Sequence, residues 1–330
     1  MKQSMFKYWE GLLGLLGLAL LGWTIHRIGY DSLREMFHHF GFLRLLALSA
    51  FYGLFQFLFC LAWRCTIVGP TQKKFLRQLF IVYLAADALN MTIPSANLAG
   101  EPVKVLLLKN QMSIEKLITS ITLYKMVDFF SMTIFLTIGL LVQSLFFHLP
   151  GLWVWGGAVV AFGMAMGSVL LFFLQKNGFF SPLTSLLDRF SWTKNLGKKL
   201  SLLNESNQEI HAFFDQHRAR IWLATAIHFL AWTGGAVEIF IFLKLIGHPA
   251  SFAAALVIET FSLFINNVAF FVPGRLGVIE GGRVVLFHAL GYPLAAGLAY
   301  SLVRRSRELL WIAAGFTVLF FRKKMPSAEQ

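Results

Sequence analysis

Two short segments hold carboxylates and cations in a fixed register inside an otherwise apolar chain. The first reads Pro94-Ser95-Ala96-Asn97-Leu98-Ala99-Gly100-Glu101-Pro102-Val103-Lys104-Val105, and the second Pro273-Gly274-Arg275-Leu276-Gly277-Val278-Ile279-Glu280-Gly281-Gly282-Arg283-Val284. A shift of 179 residues lays Pro94 on Pro273, Glu101 on Glu280, Lys104 on Arg283 and Val105 on Val284, and also brings Lys125 opposite Arg304. On a helix, a glutamate and a base three residues later share one face, so each segment can present a paired carboxylate and cation. At membrane depth a lone charge costs about 2.5–3.5 kcal/mol on insertion scales, so such a glutamate needs a partner or a task. Two readings stay open. Each Glu either caps a helix start and pairs with its neighbour, or helps to line a path for a polar head group. The principal candidates for substrate binding are Glu101, Lys104, Glu280 and Arg283, joined by Lys125, Arg275, Arg304 and Asn97.

The elements that must position these groups are broken helices. Pro94 and Pro273 each remove a backbone donor and crowd the preceding turn, so each helix should stop there. Gly100 and Gly277 then allow a tight return. Backbone groups freed in this way are tolerated in a membrane only where protein or a water-filled cavity satisfies them. Three full spans separate the two segments, so a second copy of the motif should enter the bilayer from the face opposite the first. Gly/Pro-interrupted apolar segments at corresponding positions of inverted repeats point to a transport site near the midplane.

Composition agrees with a membrane setting. Of 330 residues, 57% are hydrophobic and 14% charged, against roughly 25% charged in soluble domains. No Asp, Glu, Lys or Arg occurs from Phe129 to Gln175, a run that suits two membrane helices of about 20 residues each. Full spans are expected near Leu12 to Ile28, Leu45 to Trp63, Leu117 to Phe146, Leu152 to Leu174 and Ile221 to Leu245, with a last one ending at Phe321. The N-terminal run lacks a cleavage site and is expected to be the first span. The formal net charge of +13 is explained by basic loops held at the cytoplasmic face near anionic head groups, and nucleic-acid binding is not expected. Leu183, Leu186, Leu187 and Phe190 fall at helical spacing, as in a helix lying on the membrane surface or packed on other loops. Cys60 and Cys65 point in different directions on one helix and should not bridge. Arg304, Arg305, Arg307 and Glu308 belong either to a loop or, as the repeat argues, inside the last helix.

The expected architecture is one all-α transmembrane domain over residues 1–330 with about 6–8 spans and two inverted re-entrant hairpins. Repeat 1 covers about 79–146, repeat 2 about 253–321, and an amphipathic cytoplasmic segment about 175–220. No zinc-like cluster, His-Glu-x-x-His or nucleotide-binding loop occurs, so no cofactor or metal is expected.

At Pro94 to Glu101, and from Ala255-Leu256-Val257-Ile258-Glu259 through Pro273 to Glu280 and on to Arg304-Arg305-Ser306-Arg307-Glu308-Leu309, the chain resembles the flippase-like transmembrane family. That family includes the membrane half of lysylphosphatidylglycerol synthases. The second segment is most similar to the hopanoid-biosynthesis-associated subfamily. The resemblance implies a bacterial inner-membrane location, a flippase or lipid-transfer role, and membrane lipids with lipid-synthesis proteins as candidate partners. Family synthases carry a soluble aminoacyltransferase domain after the membrane region. The chain given ends at Gln330, so aminoacyl transfer is not expected. The rival expectations are a membrane enzyme using Glu101 or Glu280 as a base, and a scaffold of a lipid-synthesis complex.

Overall fold

A computed structural model describes residues 40–68, 73–93, 95, 97–147, 149, 151–177, 197–269, 272, 275 and 277–321. The expected span Leu12 to Ile28, the apolar set Leu183, Leu186, Leu187 and Phe190, and both Pro94 and Pro273 lie outside the described residues. Among the described residues the elements are ten α-helices. In chain order they are α1 (Phe42–Cys65), α2 (Lys73–Thr92), α3 (Glu101–Leu108), α4 (Ile114–Phe146), α5 (Gly151–Asn177), α6 (Gly197–Gln216), α7 (Arg218–Leu245), α8 (Phe252–Val268), α9 (Val278–Ala289) and α10 (Leu294–Phe321).

Helix length follows from uninterrupted apolar sequence. At about 1.5 Å per residue, the 24 residues of α1 exceed the roughly 30 Å hydrocarbon core of a bilayer. Four helices are long and apolar enough to cross: α1, α4, α7 and the Trp153–Leu171 stretch of α5. The surfaces agree. Trp155, Phe162 and Phe146 are largely exposed, whereas Lys104, Glu238, Glu259, Glu280 and Arg307 are buried. Apolar groups outward and charges inward is the arrangement expected of a bundle whose solvent is lipid. The protein is a multi-pass helical membrane protein.

The 179-residue shift carries α1 onto residues 221–244 within α7, α2 onto the stretch that begins α8, and the short α3 onto residues 280–287 within α9. It also carries α4 onto the stretch beginning at α10. Helices α1 and α7 pack together and run antiparallel. At one end Arg44 Nη1 donates to the Leu245 carbonyl at 3.2 Å, and at the other Arg220 Nη2 donates to the Ile67 carbonyl at 2.7 Å. The first helix of each motif packs on the long helix of the other, α2 on α10 and α8 on α4.

Two hydrophobic cores flank this pair. One gathers Trp63, Leu79, Leu108, Leu117 and Ile121 around α3, near the C-terminal end of α1. The other gathers Phe242, Ile258, Phe287, Ala296 and Tyr300 around α9, with Leu48 from the opposite end of α1 and Phe40 just before that helix. These five positions correspond one to one under the same shift. The short helices therefore sit at opposite ends of the α1–α7 pair.

Two expectations are settled here. Arg304 to Glu308 lie inside α10, so the loop alternative is discarded. Cys60 and Cys65 are free thiols. The sequence reading did not single out α6, which lies in the 175–220 segment and packs on α4, with Ile210 and Phe213 against Leu123.

Candidate functional site

The two breaks are built differently. After α2, the chain turns through Asn97, whose φ is +61°, a left-handed conformation that Asn tolerates better than most residues. Ser95 Oγ accepts from Ala99 N at 2.9 Å, and Asn90 Oδ1 from Gly100 N at 2.7 Å. Side chains thus satisfy backbone donors that the broken helix frees. Gly100 is required for space, because a Cβ there would overlap the Ala86 carbonyl on α2. In the second break Arg275 has φ +54° and Gly277 φ +76°. Gly277 N donates to Glu280 Oε2 at 2.7 Å, so Glu280 caps the start of α9. The breaks meet: Arg275 Nη2 donates to Asn97 Oδ1 at 3.4 Å.

Around α3, Glu101 lies between two ammonium groups, 2.9 Å from Lys104 Nζ and 2.8 Å from Lys125 Nζ. Lys125 Nζ also donates to the Asn97 carbonyl at 2.9 Å. Lys104 is buried in an aromatic cage, 4.7 Å from the ring centroids of Trp63 and Tyr124 and 5.6 Å from that of Tyr83. Such rings attract a desolvated cation through their quadrupoles. The expected Glu101–Lys104 pair is therefore present, with Lys125 added to it.

Around α9 the wiring differs, and one expectation needs correction. Glu280 does not pair with Arg283. Its Oε1 instead accepts from Arg305 Nη2 at 2.8 Å and Nε at 3.1 Å. Arg304 does not reach Glu280 either. It forms a bidentate pair with Glu259 at 2.6 and 3.1 Å. The cause is rotation along α10: consecutive residues point about 100° apart, so Arg304 faces α8 while Arg305 faces the start of α9. Arg307 pairs with Glu238 on α7 and lies 3.7 Å from the Tyr52 ring centroid. Glu308 lies 3.1 Å from Arg305 and 3.7 Å from Arg304. Arg283 Nε donates to Ser262 Oγ at 3.4 Å, and its guanidinium lies 5.7 Å from the Tyr300 ring centroid.

These groups converge on one cavity of about 190 Å³. It is lined by Tyr52, Phe55, Gln56 and Phe59 of α1 and by His228, Ala231, Trp232, Gly235 and Glu238 of α7, at the middle of both spans. Of the predicted site residues, Asn97, Lys104, Lys125, Arg275, Arg283 and Arg304 line it. Glu101 and Glu280 lie behind that lining and bind its cations. Such an arrangement can bind charged head-group chemistry in a low-dielectric interior, where ionic contacts are strong.

Sequence reasoning missed Glu238 and Glu259 as site residues, and with them Asp87, Asp128 and His228. A carboxylate within an apolar span was itself the available signal. His228 Nε2 lies 3.5 Å from Asp128 Oδ1, and His228 Nδ1 lies 2.9 Å from Ser131 Oγ. The order of groups is that of an acid–histidine–serine relay. Ser131, however, is fully buried and does not line the cavity. The trio ties α4 to α7 and offers no nucleophile to a molecule in the cavity.

A family model described as the lysylphosphatidylglycerol synthase TM region matches residues 11–315. No curated protein and no solved structure matches the chain.

Proposed function

The chain belongs to the lysylphosphatidylglycerol synthase TM-region family, and from that premise we propose that it moves an amphiphilic lipid across or out of the bacterial inner membrane. The observation that carries this reading is the meeting of two broken helices, through Asn97 and Arg275, at a charged cavity midway along two spans. A polar chamber at that depth serves a head group that must leave water to change leaflets, since protein charges and dipoles replace its hydration shell. The two motifs act as re-entrant hairpins inserted from opposite faces, in keeping with the antiparallel α1–α7 pair and the two short helices at its opposite ends.

Transport is favoured over lipid-head-group enzymology by the state of the glutamates. A general base needs a carboxylate within reach of its substrate. Glu101 is held by two lysines, and Glu280 by Arg305 and the Gly277 amide. The scaffold role in a lipid-synthesis complex has no comparable feature in its favour. The resemblance to the hopanoid-associated subfamily keeps polycyclic lipids beside phospholipids and polyprenyl-linked lipids among the cargo classes.

The experiment is leaflet exchange in proteoliposomes. Lipids labelled on the acyl chain are quenched from outside, and the rate at which the inner pool becomes accessible is followed. The expected result is exchange well above protein-free vesicles, reduced at least tenfold in a Glu101→Ala/Glu280→Ala double variant that still elutes as a single species. Wild-type exchange equal to that of empty vesicles for all three lipid classes overturns the proposal.

A further inference from the structure

One buried ring nitrogen in the cavity wall has no hydrogen-bond partner, and the group it faces is a carboxylate. His228 on α7 is 1% exposed, whereas the Asp128 side chain on α4 is 26% exposed, and both line the cavity. Ser131 Oγ donates to the Asp128 backbone carbonyl at 2.9 Å, an oxygen that can only accept. That uses the one hydrogen of the hydroxyl. At the 2.9 Å contact between Ser131 Oγ and His228 Nδ1 the ring is therefore the donor. In a neutral imidazole with its hydrogen on Nδ1, Nε2 is an acceptor. This Nε2 is buried, makes no hydrogen bond, and lies 3.5 Å from Asp128 Oδ1. Two acceptors thus face each other in the protein interior.

One proton resolves that contact. It turns the pair into an imidazolium on a carboxylate and leaves both bonds of Ser131 as they are. A charge-assisted N–H···O bond is about 2.7–2.9 Å long, so the 3.5 Å separation is that of a pair not yet joined by a proton. Every other acid that lines the cavity already holds a donor: Asp87 has Gln56, Glu238 has Arg307, Glu259 has Arg304 and Glu308 has Arg305. Asp and His side chains facing a cavity at membrane depth are the parts from which proton relays are made. The charged groups that act on the ring are Asp128 and Lys125 on α4 and Lys104 on α3. Tyr124 of α4, Phe59 of α1 and Trp232 of α7 pack around it.

The pair also has a route to the moving parts. Lys125 and Asp128 are three residues apart and share a face of α4. Lys125 Nζ donates to the Asn97 carbonyl at 2.9 Å, and the Asn97 side chain meets Arg275. A change of charge at Asp128 and His228 therefore acts on the lysine that holds the first break where it touches the second. We infer that the Asp128–His228 pair binds one proton from the cavity and that each lipid crossing is coupled to its uptake and release. The proton adds to Nε2 on the side of Asp128 Oδ1 and leaves by the same side; no other bond forms or breaks. This rests on the transport reading above and supplies its energy source.

The test uses the full-length protein in vesicles with the membrane potential clamped at zero. Each carries a trace of one labelled lipid from the phospholipid, polyprenyl-linked or polycyclic class. A gradient of one pH unit is worth about 1.4 kcal/mol per proton. One proton per lipid should therefore drive the exchanging tracer to about a tenfold excess in one leaflet, and a protonophore should abolish the excess. An even distribution in vesicles where the tracer exchanges above the protein-free rate overturns the coupling and needs no variant. His228→Gln and Asp128→Asn should each leave the tracer evenly spread; an excess that survives in either overturns the assignment to this pair. Should a variant fail to fold or to exchange lipid, nitrogen NMR of isotope-labelled histidine in the wild type decides. The His228 ring should carry its hydrogen on Nδ1 at alkaline pH and become imidazolium on acidification. A ring that stays neutral wherever the protein stays folded overturns the inference. If no tracer of any class exceeds the protein-free rate, it is the transport reading that fails, and the coupling with it.

Discussion

Copy one and copy two of the broken-helix motif share a backbone plan and share almost none of their electrostatic wiring. In the first, a single carboxylate, Glu101, neutralises two lysines, one of them caged by three aromatic rings. In the second, three arginines on α10 are spread over glutamates from α7, α8, α9 and α10 itself. The break in copy one is closed by Ser95 and Asn90 side chains and needs a glycine for space. The break in copy two is closed by Glu280 and needs a glycine for its left-handed φ. The shared frame thus keeps the positions where a helix stops and restarts, while the countercharges are distributed differently. The glutamate common to both copies has a shared place but different duties: charge neutralisation of two lysines in the first, and helix capping together with an arginine pair in the second.

That contrast can be broken at four points, in descending order of effect. Glu101→Gln strands Lys104 and Lys125 together and should cost about 3–5 kcal/mol, the loss expected when one member of a buried ion pair is removed. Thermal unfolding in detergent reads it. Partial recovery in Glu101→Gln/Lys104→Met would locate the damage in the caged ammonium, whereas no recovery would place it on Lys125. Gly100→Ala should cost about 1–3 kcal/mol by overpacking against α2. Gly277→Ala should cost about 1–2 kcal/mol through its left-handed φ. Adding a second small residue opposite Gly100, as Ala86→Gly, should leave that loss largely unchanged because the obstruction is backbone. The smallest effect is predicted for Glu280→Gln, about 1 kcal/mol. The Gln oxygen still caps Gly277 N, and Arg305 keeps Glu308. Equal losses for Glu101→Gln and Glu280→Gln in the same assay would erase the proposed division of duties.

Four of the expected spans and the two helix restarts were legible because they depend on local features: long apolar runs, glycines, and a Glu-to-base spacing of three. The pairing Glu101–Lys104 obeys that local rule. Glu280–Arg283 has the same spacing and does not form, because α10 brings Arg305 to the carboxylate first. Glu259 and Arg304 are 45 residues apart, and Glu238 and Arg307 are 69 apart. Which arginine reaches which acid is decided by how α10 is rotated against α7, α8 and α9, a property of packing that no sequence spacing records. Asp87 and Asp128 lay in plain view as acids in apolar helices, but only the fold brings them to the cavity that Arg275 and Arg283 also line.

The three arginines of α10 also constrain how the protein is made. Each costs about 2.5–3.5 kcal/mol to place at the centre of a bilayer on insertion scales, so α10 is a poor candidate to enter the membrane unaided. Its acidic partners Glu238, Glu259 and Glu280 all precede it in the chain, and synthesis runs from the N-terminus. By the time Arg304 leaves the ribosome, the helices that carry its countercharge and those of its neighbours have already been made, and α10 can be packed against acids that are already in place.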